Sequence, residues 1–217
     1  MSITLSTGVT LSIAGGYDSA DTVSAITNAT EAVCTTSAAH GIAVGDYVEV
    51  TSGWDLLDGR VVRAGTGTTG STLVLEDVDT SDTNAYPVGT GAGSVRRVAS
   101  WTQLSQLKSI SSSGGTQNFA DITSLSNQVE KRMPTTRAAV EMTVDVYDDP
   151  ALAWFATVRA ADEAKTPKAM LMAFKNGSVL CGNAFWGVGS VPSINQNEAL
   201  VTQLSLSYAA QPIRYAS

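Results

Sequence analysis

Strict alternation of apolar and polar residues in AVEMTVDVYD, residues 139–148, constrains the fold of this chain more than any other feature. Successive side chains of a β-strand point to opposite faces, so this run predicts a strand with one buried face and one face in water. The run EALVTQLSLSYAAQP, residues 198–212, alternates in the same way and predicts a second strand that is polar on one side. The apolar positions of the first run are Val140, Met142, Val144 and Val146.

One helix is predicted directly after the first of these strands, in DDPALAWFATVRAADEAKTP. We expect Asp149 to be its N-cap and Pro150 its first residue, where the missing N–H of proline has no effect. Asp148 and Asp149 would favour the positive end of the helix dipole, and Pro167 would end the helix. Further on, Asn176-Gly177 lies between two apolar runs, which is typical of a β-hairpin.

Residues 21–97 differ in charge from the rest of the chain, because they contain four basic and ten acidic side chains. Short strand-like runs separated by glycines predict a small barrel or sandwich in this segment. We therefore expect a core domain of residues 1–20 and 98–217, with residues 21–97 as an inserted small β domain. The strand-like runs are residues 31–37, 47–53, 59–65, 71–77 and 93–99.

Composition excludes several classes of protein. The net charge of −7 argues against a general nucleic-acid binder, although a conduit that nucleic acid passes through without binding stays possible. The start of the chain lacks the pattern of a secretory signal, and no run approaches the ~18 apolar residues of a membrane helix. Cys34 and Cys181 are far apart in sequence and are expected to be two reduced, buried thiols of a protein made in the cytosol.

His40, the only histidine, precedes Asp46 by six residues, and such a pair can indicate a general base or a metal ligand. No G-x-S-x-G motif accompanies it, and no second ligand stands at a metal-binding spacing. The surrounding AAHGIAVGD reads as a turn between strands. We therefore expect the His40 side chain to make a hydrogen bond that stabilises this turn.

Other apparent motifs lack their structural context. GTGTTG, residues 65–70, matches a dinucleotide-binding pattern but precedes a strand-like run, so a hairpin loop is expected. SQLK, residues 105–108, matches a hydrolase pattern without its partner motifs. Helix capping explains the Asp148-Asp149 pair better than acid–base catalysis does. The sequence therefore predicts no catalytic, cofactor-binding or metal-binding residues and no enzyme activity. The tryptophans are scattered, which indicates packing and not a stacking platform: Trp54, Trp101, Trp154 and Trp186.

The chain from about residue 98 onwards resembles the tail tube proteins of long-tailed bacteriophages. AVEMTVDVYDDPALAWFATVRAADEA resembles the strand and helix of that family, and the segment from KAMLMAFKNG to SYAAQPI resembles its closing hairpin and last strand. ITLSTGVTLSIAGG, residues 3–16, would supply another strand and a leading arm. AAHGIAVGDYVEVTSGWDLLDGRVVRA resembles small β modules of phage tail and baseplate proteins.

This resemblance implies a mainly β fold, a tail-tube-type β-sandwich or half-barrel flanked by one α-helix, with an inserted small β-barrel-like domain. It implies a structural virion protein, the major tail tube subunit. Such subunits assemble into hexameric rings that stack into the conduit for genome delivery. The implied partners are further copies of the chain, a tape measure protein inside the tube, and the tail terminator and distal tail or baseplate proteins. DNA would pass through the lumen without specific binding.

Residues 109–136, with Gly114-Gly115, are expected to form a flexible arm that orders against the next ring. The implied location is the virion tail, after synthesis in the host cytoplasm and without membrane insertion. Two other classes remain open. One is a different tail structural protein, a tail terminator or a baseplate adaptor. The other is a carbohydrate-binding or adhesive module based on residues 21–97.

Overall fold

A computed structural model describes residues 7–36, 40–194 and 196–216. These residues form fifteen strands and one helix, α1 (Ala153–Ala164), so the prediction of a mainly β fold with one helix is confirmed. The strands are β1 (Thr10–Tyr17), β2 (Asp21–Ile26), β3 (Ala32–Thr36), β4 (Tyr47–Ser52), β5 (Val61–Arg63), β6 (Thr72–Leu75), β7 (Gly93–Leu104), β8 (Leu107–Gly114), β9 (Gln117–Asp121), β10 (Arg132–Arg137), β11 (Val140–Tyr147), β12 (Lys168–Ala173), β13 (Val179–Val188), β14 (Val201–Tyr208) and β15 (Ile213–Tyr215).

Thirteen of these strands form one antiparallel sheet in the order β6-β3-β2-β7-β1-β12-β13-β14-β11-β8. Strand β15 pairs with β13, β4 pairs with β7, and β5 pairs with β4. Strands β9 and β10 form a separate two-stranded hairpin. The long sheet therefore ends at β8 on one side and branches around β7 on the other.

Strand β7 joins the two parts of the sheet. Its residues 93–97 pair with β4 on one edge, residues 93–95 pair with β2 on the other, and residues 98–104 pair with β1. The sequence predicts a strand-like run at 93–99, but the strand continues to Leu104 because no glycine or proline interrupts it. The chain turns only at Ser105-Gln106, where Gln106 has a φ of 62°.

The buried apolar residues form two clusters. One cluster joins α1, through Trp154, Val158 and Ala161, to apolar side chains of β1, β7, β12 and β13 and to the apolar face of β11 and β14 that the alternation predicts. The other consists mainly of residues from the segment 21–97. This second cluster also takes in residues from elsewhere in the chain, namely Ala14, Val98, Ala169, Cys181, Ile213 and Tyr215.

The helix begins later than the sequence predicts. Its N-cap is Leu152, so the assignments of Asp149 as N-cap and Pro150 as first helical residue are wrong. Instead, the Asp149 carboxylate accepts a hydrogen bond from the Ala151 N–H at 3.1 Å, in a turn that precedes the helix. An aspartate can satisfy nearby backbone groups in this way without starting a helix. Asp148 also has another role, because its carboxylate accepts a 2.6 Å hydrogen bond from the Thr202 hydroxyl.

Turns and short strands account for the remaining differences. The hairpin at Asn176-Gly177 is confirmed, and Gly177 has the positive φ of 83° while its N–H donates to the Phe174 carbonyl at 3.0 Å. The start of the predicted arm, residues 109–118, is mostly strand, because β8 and β9 extend into it from both sides. Strands β2 and β15 have no counterpart among the predicted runs.

Candidate functional surfaces

Four neighbouring strands, β8, β11, β14 and β13, present a continuous polar face opposite the helix. Their antiparallel registers place side chains in rows across the sheet, and most of the residues in these rows are exposed or half-buried serines, threonines, glutamines and acids. Phe185, 45% exposed, is the one aromatic residue in the rows. The rows are Ser113–Glu141–Ser207–Phe185, Ser111–Thr143–Ser205–Gly187 and Ser109–Asp145–Gln203.

Side-chain contacts bind the strands of this polar face together. The Asp145 carboxylate accepts hydrogen bonds from the Ser109 hydroxyl at 2.7 Å and from the Gln203 amide at 3.3 Å. One row depends on a glycine, because a Cβ at Gly187 would lie 2.6 Å from the Ser205 hydroxyl oxygen. The rows contain two carboxylates, of Glu141 and Asp145, and no lysine or arginine. The face is therefore hydroxyl-rich and acidic.

The outer edge of β8 is unpaired within the described part of the chain, where its one neighbouring strand is β11. The strand is eight residues long and mostly exposed. Unpaired N–H and C=O groups along such an edge are a template for pairing with another chain. The polar face therefore ends at an edge that can continue into a second copy.

The hairpin β9–β10 and its turns, residues 115–138, form an arm that extends from the end of β8. All six residues of β10 are exposed. The arm bends where it leaves the sheet, because Gly114 and Gly115 have φ values of 81° and 70°. A Cβ at Gly114 would approach the Ala139 carbonyl oxygen to 1.9 Å, so only glycine fits the bend. The sequence predicts an arm at residues 109–136 with paired glycines, but residues 109–114 pair with β11 as part of β8, so the arm begins only at Gly115.

His40 lies in the predicted turn and not in a catalytic arrangement. Its Nδ1 accepts a 3.0 Å hydrogen bond from the Ile42 N–H, which is the local role that the sequence indicates. The Asp46 carboxylate instead accepts hydrogen bonds from the Ala43 N–H at 2.9 Å and from the Arg97 guanidinium at 3.3 Å. The two residues that could have formed a catalytic pair therefore stabilise the turn through separate contacts.

The two apparent sequence motifs lie at connections between strands and not at the start of a helix. GTGTTG, residues 65–70, connects β5 to β6, and the Thr68 hydroxyl donates to the Gly65 carbonyl at 2.9 Å. SQLK begins in the turn between β7 and β8 and continues into β8, with no helix for a nucleophilic serine to begin. Within residues 7–36, 40–194 and 196–216, no group of three or more histidine, cysteine or acidic side chains could hold a metal ion.

Both cysteines are buried and free, in agreement with the sequence prediction. Burial raises the pKa of the Cys34 thiol to about 12 and that of the Cys181 thiol to about 12. The Cys181 thiol donates to the Val61 carbonyl at 3.3 Å, which links β13 to β5. Neither thiol has the depressed pKa or the exposure of a reactive cysteine.

The tryptophans pack into the two hydrophobic clusters, Trp54 and Trp101 in one and Trp154 and Trp186 in the other, which agrees with the predicted packing role. Trp54 contacts Tyr86 edge-on, with ring centroids 5.2 Å apart, and its indole N–H donates to the Pro87 carbonyl at 2.8 Å. Trp186 donates to the Lys168 carbonyl at 3.2 Å. They form no common stacking surface. No helix of the described residues is both long enough and apolar enough to cross a lipid bilayer.

Comparison with known proteins places the chain in a class of structural proteins. A family model described as phage tail tube protein matches residues 52–217, from β4 to the end of the chain. The chain therefore belongs to the phage tail tube protein family. It is a structural protein of the virion tail and not an enzyme.

Among solved structures, the chain is similar to a subunit in the cryo-EM structure of the anti-feeding prophage cap, described as the AFP tube terminating cap. The identity is 21% and the TM-score 0.38, and the match covers 49% of this chain and 79% of that chain. A search of curated proteins returned no match.

Proposed function

We propose that this protein is the major tail tube subunit, which assembles into stacked hexameric rings around the conduit for genome delivery. The observation that carries this proposal is the four-stranded polar face, which is backed by α1 on its other side and ends at the unpaired edge of β8. A sheet with one packed face and one wet face fits a tube wall. Its family membership supports a tail tube role independently of this surface.

Ring formation would continue the sheet from one subunit to the next. The outer edge of β8 offers backbone groups along Leu107–Gly114, and five of its eight residues are serine or glycine. Pairing at this edge would align the polar faces of six copies around a common axis. Closure into a ring would also remove an edge that otherwise favours uncontrolled aggregation.

The polar face would line the lumen. A phosphate backbone binds to lysine and arginine through counterion release, and the rows contain neither residue. Glu141 and Asp145 would repel phosphate, so DNA would slide past without specific binding. A tape measure protein would occupy the same lumen before the genome passes.

The arm, residues 115–138, would contact the neighbouring ring, and the ends of the finished tube would meet the terminator and the distal tail or baseplate proteins. Residues 21–97 would be an inserted small β domain between the core segments 1–20 and 98–217, located on the outside of the tube. Strand β7, which pairs with strands of both segments, and the mixed second hydrophobic cluster support a firm attachment of the proposed domain to the core. Synthesis would take place in the host cytoplasm.

Electron microscopy of the purified full chain tests this proposal, with mass photometry to count subunits. We expect sixfold rings and tubes with a central channel as the protein concentration is raised. Single closed rings that never stack would favour a tail terminator or adaptor instead. A chain that stays monomeric at high concentration contradicts the proposal, and glycan-array binding by the monomer would favour an adhesive module.

A further inference from the structure

We propose that the arm of one copy binds an exposed apolar surface at the opposite end of the same sheet on the next copy. We call this second region the end surface, and it consists of Tyr147, Val191, Ile194 and Leu200. The proposal rests on the tube function above and adds the two surfaces that would join successive rings. It follows from where the exposed apolar side chains of this chain are concentrated.

The arm carries an unusual number of large apolar side chains for a segment in water. A two-stranded hairpin cannot bury them by itself, and an isolated hairpin is only marginally stable. Clustered exposed apolar residues of this kind mark interaction sites. The exposed fractions are 58% for Phe119, 51% for Ile122, 110% for Leu125, 75% for Val129 and 52% for Met133.

The end surface is exposed but held in place by backbone hydrogen bonds. The Asp148 N–H donates to the Leu200 carbonyl at 3.0 Å, which fixes the end of β11 against the approach to β14. Ser193 and Val201 form a β-bridge, which fixes Ser193 against the first residue of β14. The exposed fractions are 41% for Tyr147, 77% for Val191, 73% for Ile194 and 41% for Leu200.

The two surfaces lie at opposite ends of strand β11. Val140, at its first residue, pairs with Gly114 at the root of the arm, and Tyr147, at its last residue, pairs with Val201 beside the end surface. Seven residue steps along a strand span about 23 Å. Complementary patches at opposite ends of a subunit produce a head-to-tail contact, which repeats along a stack without limit.

The charges of the two surfaces are also complementary. The arm contains Lys131, Arg132 and Arg137 against two acids, Asp121 and Glu130. Among the described residues, Arg132 pairs with Glu130 at 3.1 Å, while no ion pair involves Lys131 or Arg137.

The segments around the end surface contain three acids and no base in residues 147–151 and 189–201. These acids are Asp148, Asp149 and Glu198. Opposite charges steer association and set orientation, and the apolar side chains supply the buried area. The end surface of a second copy therefore matches the arm both in charge and apolar character and in its position at the opposite end of the subunit.

Cysteine cross-linking of the full chain tests this contact. One variant carries Leu125→Cys in the arm and another carries Ile194→Cys in the end surface. Both native cysteines are buried, so they do not compete for oxidation. We mix the two variants under conditions in which the wild type assembles, add a mild oxidant, and expect a disulfide-linked dimer in the mixture. Neither variant alone should give this product, and a chain with both substitutions should give a ladder of covalent multimers.

The control is Val88→Cys mixed with Ile194→Cys, because Val88 is as exposed, at 73%, but lies in the segment 21–97. Equal cross-linking in this control overturns the proposal, as does cross-linking of Leu125→Cys with itself, which indicates an arm-to-arm contact. Tubes that form without the mixed cross-link overturn this inference and leave the tube function standing. A wild type that never assembles overturns both.

Discussion

The phenol hydroxyl of Tyr215 accepts a 2.9 Å hydrogen bond from the backbone N–H of Arg63, which lies 152 positions earlier in the chain. The same hydroxyl donates to the Glu76 carbonyl at 3.3 Å, and the Arg63 guanidinium lies 4.4 Å from the centre of the Tyr215 ring. The final strand β15 is therefore attached to β5 and to the residue after β6. This contact makes the segment 21–97 and the rest of the chain one packed structure.

Removing the Tyr215 hydroxyl should lower the free energy of unfolding. Tyr215→Phe leaves the Arg63 N–H without this acceptor, which costs about 1–3 kcal/mol, and Tyr215→Ala also removes a buried ring, for a total of about 3–5 kcal/mol. Urea denaturation measures both values. Tyr147→Phe, at an exposed site, should change stability by less than about 0.5 kcal/mol. Two separate unfolding transitions, with only one shifted by Tyr215→Phe, would contradict the single packed structure.

Gly114→Ala should disturb the arm and leave the rest of the fold intact. The new methyl group would meet the Ala139 carbonyl oxygen at 1.9 Å, and the φ of 81° adds backbone strain. We expect a normal circular dichroism spectrum but a loss of stacked tubes in electron micrographs. Gly89→Ala is the matched control, because Gly89 has a φ of 79° with open space around it and lies outside the arm. Normal tubes from Gly114→Ala would mean that the bend is not required for assembly.

Alkaline pH should destabilise the folded monomer, because its buried thiol and phenol groups resist the ionisation that the unfolded chain permits. Burial raises the pKa of Cys34, Cys181, Tyr17 and Tyr208 to about 12, whereas unfolded cysteine and tyrosine ionise near about 8.5 and 10. The unfolded state therefore releases protons first, and stability falls as pH rises from about 8.5 to about 12. Urea midpoints measured across this range should decline steadily and stay level between about pH 7 and 8.

Thiol accessibility provides an independent check of the same burial. Cys34 and Cys181 should not react with a thiol reagent at about pH 8 in the folded protein, and both should react in urea. Rapid reaction of either thiol in the native state would show that the surrounding cluster opens readily. It would also remove the reason for the expected decline in stability at high pH.

Regular patterns predicted the parts of the fold where local sequence and tertiary packing agree. The alternation around Val144 produced β11, and Asn176-Gly177 produced the hairpin between β12 and β13. The N-cap prediction for Asp149 was wrong because an aspartate side chain can also bond nearby backbone groups in a turn outside a helix. Its carboxylate bonds to the Ala151 N–H in that turn, and the helix starts at Ala153 once Trp154 can pack against the sheet.

The candidate surface needed the registers between strands. Ser109, Asp145 and Gln203 lie up to 94 positions apart, and no local period indicates that they form one hydrogen-bonded row. The outer edge of β8 was equally invisible, because an edge is defined by the neighbour that a strand lacks. The alternation of side chains along β13 could have indicated which residues share a face with Phe185. Only the pairing of β13 with β14 assigns Phe185 to the polar face.

A positive charge on the polar face should slow passage of DNA without preventing assembly. Glu141 lies in the row between Ser113 and Ser207, so Glu141→Lys would place a ring of lysines around the proposed lumen. Each lysine that contacts phosphate releases counterions, which adds a binding step that weakens with salt. We expect normal tails but slower DNA release from virions built with this variant, and recovery of the rate as salt is raised.

Two further variants separate the causes of such a delay. Glu141→Gln removes the charge without reversing it and should release DNA at close to the normal rate, because no new phosphate contact forms. Asp55→Lys makes the same change of charge at an exposed site in the segment 21–97, outside the proposed lumen, and should have no effect. If Asp55→Lys delays release as much as Glu141→Lys, or if salt does not relieve the delay, the polar face is not the surface that DNA passes.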